Sequence, residues 1–189
     1  RFSESIRGCD VFIVQTHSGS NDASINDSLM EQLIMVDAAR RASAKRITVV
    51  CPAYGYGRQD RKASGREPIT AKLVANLFKE AGASRLVSVD LHSGQTQGFF
   101  DGPVDHLTAM PVLVERLSSL NGDLTIVSPD AGRVKVAERY AMTLGAELAI
   151  VHKRRSHSSF NTVEAREVVG DVDGRVCILV DDMIDTAGT

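Results

Sequence analysis

The sequence predicts an α/β protein of two similar domains, each with a parallel sheet flanked by helices. Three observations predict it. Short apolar runs rich in β-branched residues alternate with longer segments in which apolar residues recur at helical spacing. Strands that alternate with helices form right-handed βαβ units and hence a parallel sheet. The alternation breaks after His106 and then begins again, which predicts domains over residues 1–106 and 107–189.

In the first domain, strands and helices follow one another along the chain. Strands are expected over residues 10–16, 47–51 and 85–91, and helices over residues 29–42 and 69–81. Gly82 ends the second helix, because glycine readily adopts the left-handed conformation that closes a helix. The centre of the first strand is apolar, and the strand is therefore expected to be buried.

The second domain repeats this order. Helices are expected over residues 111–119 and 133–144, and strands over residues 124–128, 147–151 and 176–180. A polar loop over residues 153–161 leads into a hairpin arm over residues 163–169. The last strand is a continuous apolar run, which predicts burial on both faces of the sheet.

Bulk properties exclude several protein classes. A net charge of −2 argues against a general nucleic-acid surface. No apolar run reaches the roughly 18 residues of a membrane span. Cys9, Cys51 and Cys177 lie far apart in apolar runs, so reduced core thiols in a cytoplasmic protein are expected. The chain starts almost in a strand and stops in a loop, so we expect a fragment of a longer protein.

The last stretch, VCILVDDMIDTAGT, predicts a site for a phosphorylated sugar. Asp181 and Asp182 follow the final strand, and open α/β sheets bind ligands at the carboxyl ends of their strands. Such acids accept hydrogen bonds from ribose hydroxyls or hold Mg²⁺. The small residues that follow can aim successive backbone N–H groups at a phosphate. They are Asp185, Thr186, Ala187, Gly188 and Thr189. The alternative is a polar loop that closes an ordinary strand.

Charged groups also follow two strands of the first domain. The loop YGYGRQDRK, residues 54–62, carries three cations that suit a polyphosphate or are simply solvated, and it is not a Walker loop. After the next strand, Asp90 and His92 precede Asp101 and Asp105. A histidine among carboxylates can hold Mg²⁺ or make a structural hydrogen bond.

The second domain has two further strand-end candidates. Asp130 lies in the turn SPDAG before a helix, where it either caps the helix or faces a ligand bound by the helix amides. Lys153 and Arg155 begin the polar loop. Such cations either remain solvated or close over a transferring phosphoryl group and neutralise its developing charge.

Together these segments resemble the ribose-phosphate pyrophosphokinase family. The resemblance covers nearly all 189 residues through RGCDVFIVQ, MEQLIMVDA, GYGRQDRK, REPITAKLVANL, VDLHSGQTQGFFDGPVDHL, VSPDAGRVKVAERYA, HKRR and VDDMIDTAGT, in family order. The last motif is also similar to that of type I phosphoribosyltransferases. The resemblance thus implies a type I phosphoribosyltransferase-like fold whose C-terminal domain is incomplete in this chain.

The resemblance implies an enzyme of nucleotide biosynthesis. The family transfers the diphosphoryl group of Mg·ATP to the C1 hydroxyl of ribose 5-phosphate, giving AMP and 5-phosphoribosyl 1-diphosphate. The cofactor implied is Mg²⁺, and the partners are ATP, ribose 5-phosphate and further copies of the chain in a homohexamer, without nucleic acid or membrane. The alternatives are a non-catalytic regulatory homologue and, less favoured, a type I phosphoribosyltransferase.

The family's functional residues carry over to matching positions. The resemblance assigns ATP binding to Arg58, Gln59, Asp60 and His92. It assigns catalysis to Lys153, Arg155 and His92. The metal is assigned to His92, Asp90, Asp101, Asp105 and Asp130. Ribose 5-phosphate is assigned to Asp181, Asp182, Asp185, Thr186, Ala187, Gly188 and Thr189. Gly57 departs from the family pattern, which usually has alanine there.

Overall fold

The computed structural model describes residues 2–19, 23–154 and 165–184, and the chain divides into two units, Arg1–Thr108 and Ala109–Thr189. The boundary lies close to His106, where the sequence pattern starts again. Each unit has its own sheet and its own apolar core. The predicted α/β class with parallel sheets and flanking helices is confirmed.

The first unit is a four-stranded parallel sheet with two helices on one face. The strands, in spatial order, are β1 (Asp10–Val14), β2 (Arg46–Cys51), β3 (Arg85–Val89) and β4 (Val104–Leu107). The helices are α1 (Ile25–Arg41) and α2 (Thr70–Ala81), and a 3-10 helix covers Gly94–Phe99. Val36, Val49 and Phe78 are fully buried in the core between sheet and helices.

Local sequence explains how the helices begin and end. Ser24 caps α1, since its hydroxyl accepts from the Asp27 amide at 3.2 Å while the Asp27 carboxylate accepts from the Ser24 amide at 2.8 Å. The predicted stop of α2 at Gly82 is confirmed, with φ at 122°. Its missing side chain leaves room for the aliphatic part of Arg40.

The opposite face of the first sheet is uncovered among the described residues. Alternate residues point to it, and Phe12 and Val14 are 64% and 63% exposed. The prediction that β1 is buried is therefore wrong for one of its faces. An apolar strand sequence does not reveal which face a neighbouring element covers, because burial depends on tertiary packing.

The second unit has a mixed sheet. In chain order its strands are β5 (Leu124–Ser128), β6 (Glu147–Arg154), β7 (Ala165–Val169) and β8 (Val176–Leu179), arranged β7-β6-β5-β8. β5 runs parallel to β6 and β8, whereas β7 pairs antiparallel with β6, as the predicted hairpin arm requires. The helices are α3 (Met110–Leu117), with a proline in its first turn, and α4 (Val134–Leu144).

Three details differ from the sequence-based expectations. β8 lies at the edge of the described sheet and is mostly exposed, so its predicted burial on both faces is wrong. β6 continues to Arg154, so Lys153 lies in a strand and not at the start of a loop. β4 was not predicted, because VDHL has only two apolar residues and takes its register from β3.

The described helices are all too short or too polar to cross a membrane.

The three thiols differ in exposure. Cys51 is fully buried, whereas Cys9 and Cys177 are exposed, so the prediction of core thiols is wrong for the latter two. Burial also raises the pKa of the Cys51 thiol. We expect native alkylation by iodoacetamide to label Cys9 and Cys177 at least about a hundredfold faster than Cys51. Peptide mass spectrometry measures this, and labelling at equal rates before denaturation would contradict it.

Candidate active site

The carboxyl ends of β1, β2 and β3 gather three chain segments at one edge of the first sheet. The segment after β1 contacts the 54–62 loop, because the Gly55 amide donates to Nδ1 of His17 at 3.0 Å. The same loop approaches the segment after β3, since a Cβ built on Gly57 would lie 3.9 Å from Cβ of His92. Two of the predicted nucleotide-binding segments, the 54–62 loop and His92, are therefore brought together.

The 54–62 loop is held to the start of α2 by hydrogen bonds at Tyr54 and at Gln59. The Tyr54 hydroxyl donates to the carbonyl of Ala71 at 2.9 Å, and the Ala71 amide donates to the carbonyl of Gln59 at 3.2 Å. Burial is the main reason why the pKa of Tyr54 is raised, so this hydroxyl stays protonated. Arg58 lies between these two anchors, and the side chains of Arg58 and Gln59 are both exposed. The loop thus presents an arginine and an amide to solvent from a fixed backbone.

The metal candidates of the first unit are spread along the sheet. Asp90 and His92 follow β3 at the carboxyl edge, and Asp90 turns the chain there with a φ of 44°. Asp101 precedes β4 and so lies at the opposite, amino edge. The Asp105 carboxylate accepts from Nη1 of Arg85 at 2.6 Å within the sheet. The structure therefore does not bring Asp101 or Asp105 to the edge that holds His92.

Asp130 closes the turn between β5 and α4. Its Oδ1 accepts from the amides of Gly132 and Arg133 at 2.8 and 3.1 Å, and the Ser128 hydroxyl donates to its carbonyl at 2.7 Å. These bonds close the turn that precedes α4, whose N-cap residue is Arg133 without a side-chain cap, so the interpretation of Asp130 as the cap of this helix is wrong. They also direct Arg133 toward the end of the neighbouring strand β8.

Arg133 binds both carboxylates that follow β8. Its Nε lies 3.2 Å from Oδ1 of Asp181, and its Nη2 pairs with Oδ1 of Asp182. The side chains of Arg133 and Asp182 are only 14% and 9% exposed, and that of Asp181 is 34% exposed. Partial burial and then the neighbouring Asp182 raise the pKa of Asp181. The guanidinium is therefore the counter-ion of two crowded carboxylates.

Comparison with known proteins adds to this geometry. Residues 1–82 match the model of the N-terminal domain of ribose phosphate pyrophosphokinase, and residues 112–189 match that of the phosphoribosyl transferase domain. The whole chain is 59% identical to the ribose-phosphate pyrophosphokinase of Streptomyces coelicolor and 57% identical to that of Bifidobacterium longum. The chain belongs to the ribose-phosphate pyrophosphokinase family.

The ribose-phosphate pyrophosphokinase fold also agrees with a solved relative. The crystal structure of the phosphoribosylpyrophosphate synthetase from Mycobacterium smegmatis matches with a TM-score of 0.88 and 55% identity, over the whole of this chain and 60% of that one. The chain spans 58% of the length of the Streptomyces relative and 56% of the Bifidobacterium one.

Several family positions lie outside the described residues. Arg155 and the predicted ribose-phosphate loop belong to this group; the loop residues are Asp185, Thr186, Ala187, Gly188 and Thr189. The backbone of Lys153 is described and pairs with Arg166 of β7. Among the described residues, no group of three or more His, Cys, Asp or Glu side chains is placed to hold a metal ion.

Three residues important in this ribose-phosphate pyrophosphokinase geometry were not predicted from sequence. From the sequence pattern, Arg133 was predicted only as the first residue of a helix. A cation directly after an acidic turn at a strand end could have indicated an ion pair with carboxylates at that edge of the sheet. Gln32 is an amide on the apolar face of α1, which is unusual enough to suggest a buried partner. His17, its partner, carried no signal beyond its place after β1.

Proposed function

We propose that the full-length protein transfers the diphosphoryl group of Mg·ATP to the C1 hydroxyl of ribose 5-phosphate, giving AMP and 5-phosphoribosyl 1-diphosphate. The observation that carries this proposal is the contact between the 54–62 loop and the segment of His92 at the carboxyl edge of the first sheet. A type I phosphoribosyltransferase resembles this chain only in the last motif and the general fold, so these two segments are not expected in such an enzyme. The names of the relatives at 57–59% identity agree with this choice.

The first unit supplies the groups for ATP in this proposal. Arg58 and Gln59 are exposed on a loop that is anchored through the Tyr54 hydroxyl and the Gln59 carbonyl. A guanidinium pairs with phosphate oxygens bidentately or stacks on a base, and an amide can read a base edge. Asp60 continues the loop, and His92 lies beside it. Because these groups are already in place, little ordering free energy is lost when ATP binds.

The residues present fit Mg²⁺ delivered with the nucleotide. Magnesium is usually held by one or two protein carboxylates together with substrate phosphates, so a cage of protein ligands is not required. Asp90 and His92 at the first carboxyl edge and Asp130 in the second unit offer such single contacts. Bound Mg²⁺ supplies neutralisation of the charge on the phosphate oxygens during transfer.

The second unit supplies the groups for ribose 5-phosphate in this proposal. Asp181 and Asp182 accept hydrogen bonds from the vicinal ribose hydroxyls, and residues 185–189 hold the 5-phosphate through backbone N–H groups. Arg133 pairs with both carboxylates and holds them oriented before the sugar arrives. The attacking hydroxyl then needs alignment with the β-phosphorus and charge stabilisation, without a covalent nucleophile.

The chemical step relies on Lys153 and Arg155 in this proposal. Their charges stabilise the oxygens of the diphosphoryl group as it moves. The product serves nucleotide biosynthesis, and the protein acts in the cytoplasm as a homohexamer.

An assay for AMP tests the proposed function. We expect the full-length protein to form AMP from Mg·ATP only when ribose 5-phosphate is present, with 5-phosphoribosyl 1-diphosphate in equal amount. The control omits the sugar phosphate and reports background ATP hydrolysis. A folded full-length protein that forms no AMP would point to the non-catalytic homologue. Release of diphosphate from 5-phosphoribosyl 1-diphosphate and a nucleobase would point to the phosphoribosyltransferase.

A further inference from the structure

A buried polar chain connects α1 to the 54–62 loop. Gln32 of α1 is fully buried, and its side-chain amide donates to the carbonyls of Ile13 and Val50 at 2.9 and 3.1 Å. Its Oε1 lies 2.8 Å from Nε2 of His17, which is 3% exposed. The other ring nitrogen of His17 accepts from the Gly55 amide. Core, helix and loop are thus joined through one imidazole ring.

These bonds define the protonation state of His17. The Gly55 amide can only donate, so Nδ1 of His17 must carry a lone pair. The amide group of Gln32 already donates to two carbonyls, so its Oε1 accepts and Nε2 of His17 carries the proton. Only the neutral Nε2–H tautomer satisfies both partners.

The loop contact leaves no space for adjustment. A Cβ on Gly55 would lie 3.0 Å from Cβ and 3.2 Å from Nδ1 of His17, and also 3.2 Å from Cγ2 of Ile25. The ring of Phe78 stacks on the imidazole with centroids 5.9 Å apart and planes at 12°. The ring is therefore held in place, and the loop backbone can approach it only because residue 55 is glycine.

We propose that His17 is a positioning residue that sets the conformation of the nucleotide-binding loop 54–62 through the Gly55 amide. The nucleotide part rests on the proposed function; the loop part rests on the contacts alone. Without the acceptor, the buried Gly55 N–H group loses its partner, and loop conformations in which that group reaches water become more favourable. Arg58 and Gln59, three and four residues after Gly55, then lose their fixed position.

The proposal also predicts a dependence on pH. The described contacts to the imidazole come from Gln32 of α1, Phe78 of α2, and Tyr54 and Gly55 of the loop; of these only Tyr54 titrates, and it stays neutral. A proton on Nδ1 would face the Gly55 N–H group. Burial lowers the pKa of His17 from its ordinary 6.5, so the unfolded chain takes up a proton that the folded chain resists. The loop contact is therefore complete above pH of about 6.5 and weakens as the pH falls below it.

Hydrogen exchange tests the loop, and ATP binding tests its consequence, both in the full-length protein. His17→Leu removes the acceptor. His17→Asn keeps an oxygen near the position of Nδ1 that accepts at any pH. Val36→Ala, in the same core but one helical turn from Gln32, is the matched control for general destabilisation.

We expect His17→Leu to speed amide exchange in residues 54–62 and to raise the dissociation constant of Mg·ATP about tenfold, with Val36→Ala changing neither. His17→Asn should restore most of both and should abolish the wild-type loss of ATP affinity between about pH 7 and pH 5.5. Unchanged exchange in His17→Leu, or equal acceleration in Val36→Ala, would overturn the proposal. If the wild type binds no ATP, the proposed function fails while the exchange result still decides the role of His17.

Discussion

Replacement of Lys153 by alanine is expected to lower turnover by about a hundredfold to a thousandfold while the KM for ATP changes less than about threefold. The physical reason is that a cation aimed at the transferring group acts mainly in the transition state. Lys153 lies in β6, which pairs antiparallel with β7. The chain after β7 packs closely on β6, because a Cβ on Gly170 would lie only 2.7 Å from the carbonyl oxygen of Leu148. The hairpin thus carries Lys153 on a regular strand.

The control for Lys153→Ala is Lys135→Ala, which removes an exposed lysine from α4. This variant should keep wild-type turnover, because an exposed lysine that makes no described contact contributes little. Steady-state AMP formation at varied ATP separates the two constants. Wild-type turnover in Lys153→Ala, or a loss confined to the KM for ATP, would contradict the assigned role.

Arg133→Met should destabilise the second unit by about 2 kcal/mol and raise the KM for ribose 5-phosphate by about an order of magnitude or more. Removing the guanidinium leaves two adjacent carboxylates without their shared counter-ion, one of them 9% exposed. Without Arg133 the pKa of the carboxylate pair lies above its unfolded value, so the loss of stability should be largest near neutral pH and should shrink as the pH falls toward the ordinary carboxyl pKa of about 4.

The matched control is Arg139→Met, an exposed cation on the same helix α4, which should change the free energy of unfolding by less than about 0.5 kcal/mol. Urea unfolding at neutral and acidic pH measures the difference between the two variants. Equal stability of both variants, or a loss from Arg133→Met that does not depend on pH, would show that the guanidinium does not balance Asp181 and Asp182.

Helical periodicity and strand-end chemistry were readable from the sequence because both are local. The spacing of Leu29, Leu33 and Val36 predicts α1, and Gly82 predicts the end of α2. Arg58 and Asp181 were likewise predicted as candidates from their positions after apolar runs. Each of these signals is contained within a few residues of the element it describes.

The exposure of side chains and the pairing of charges could not be predicted, because both depend on residues that are distant along the chain. The exposure of Phe12 and Cys177 follows from which faces and edges other elements cover. The pairing of Arg133 with Asp182 joins residues that are neighbours only because β5 and β8 are adjacent strands. The role of His17 arises from the same kind of distant contact, and no local pattern marks it.

The uncovered face of the first sheet has a thermodynamic consequence. Phe12, Val14 and Leu107 are more than half exposed in the folded chain, so unfolding brings little of their apolar surface newly into water. The heat-capacity change of unfolding scales with newly hydrated apolar area, and so does the steepness of the response to urea. Both should therefore be smaller for this chain than its length suggests, and its stability should vary less with temperature.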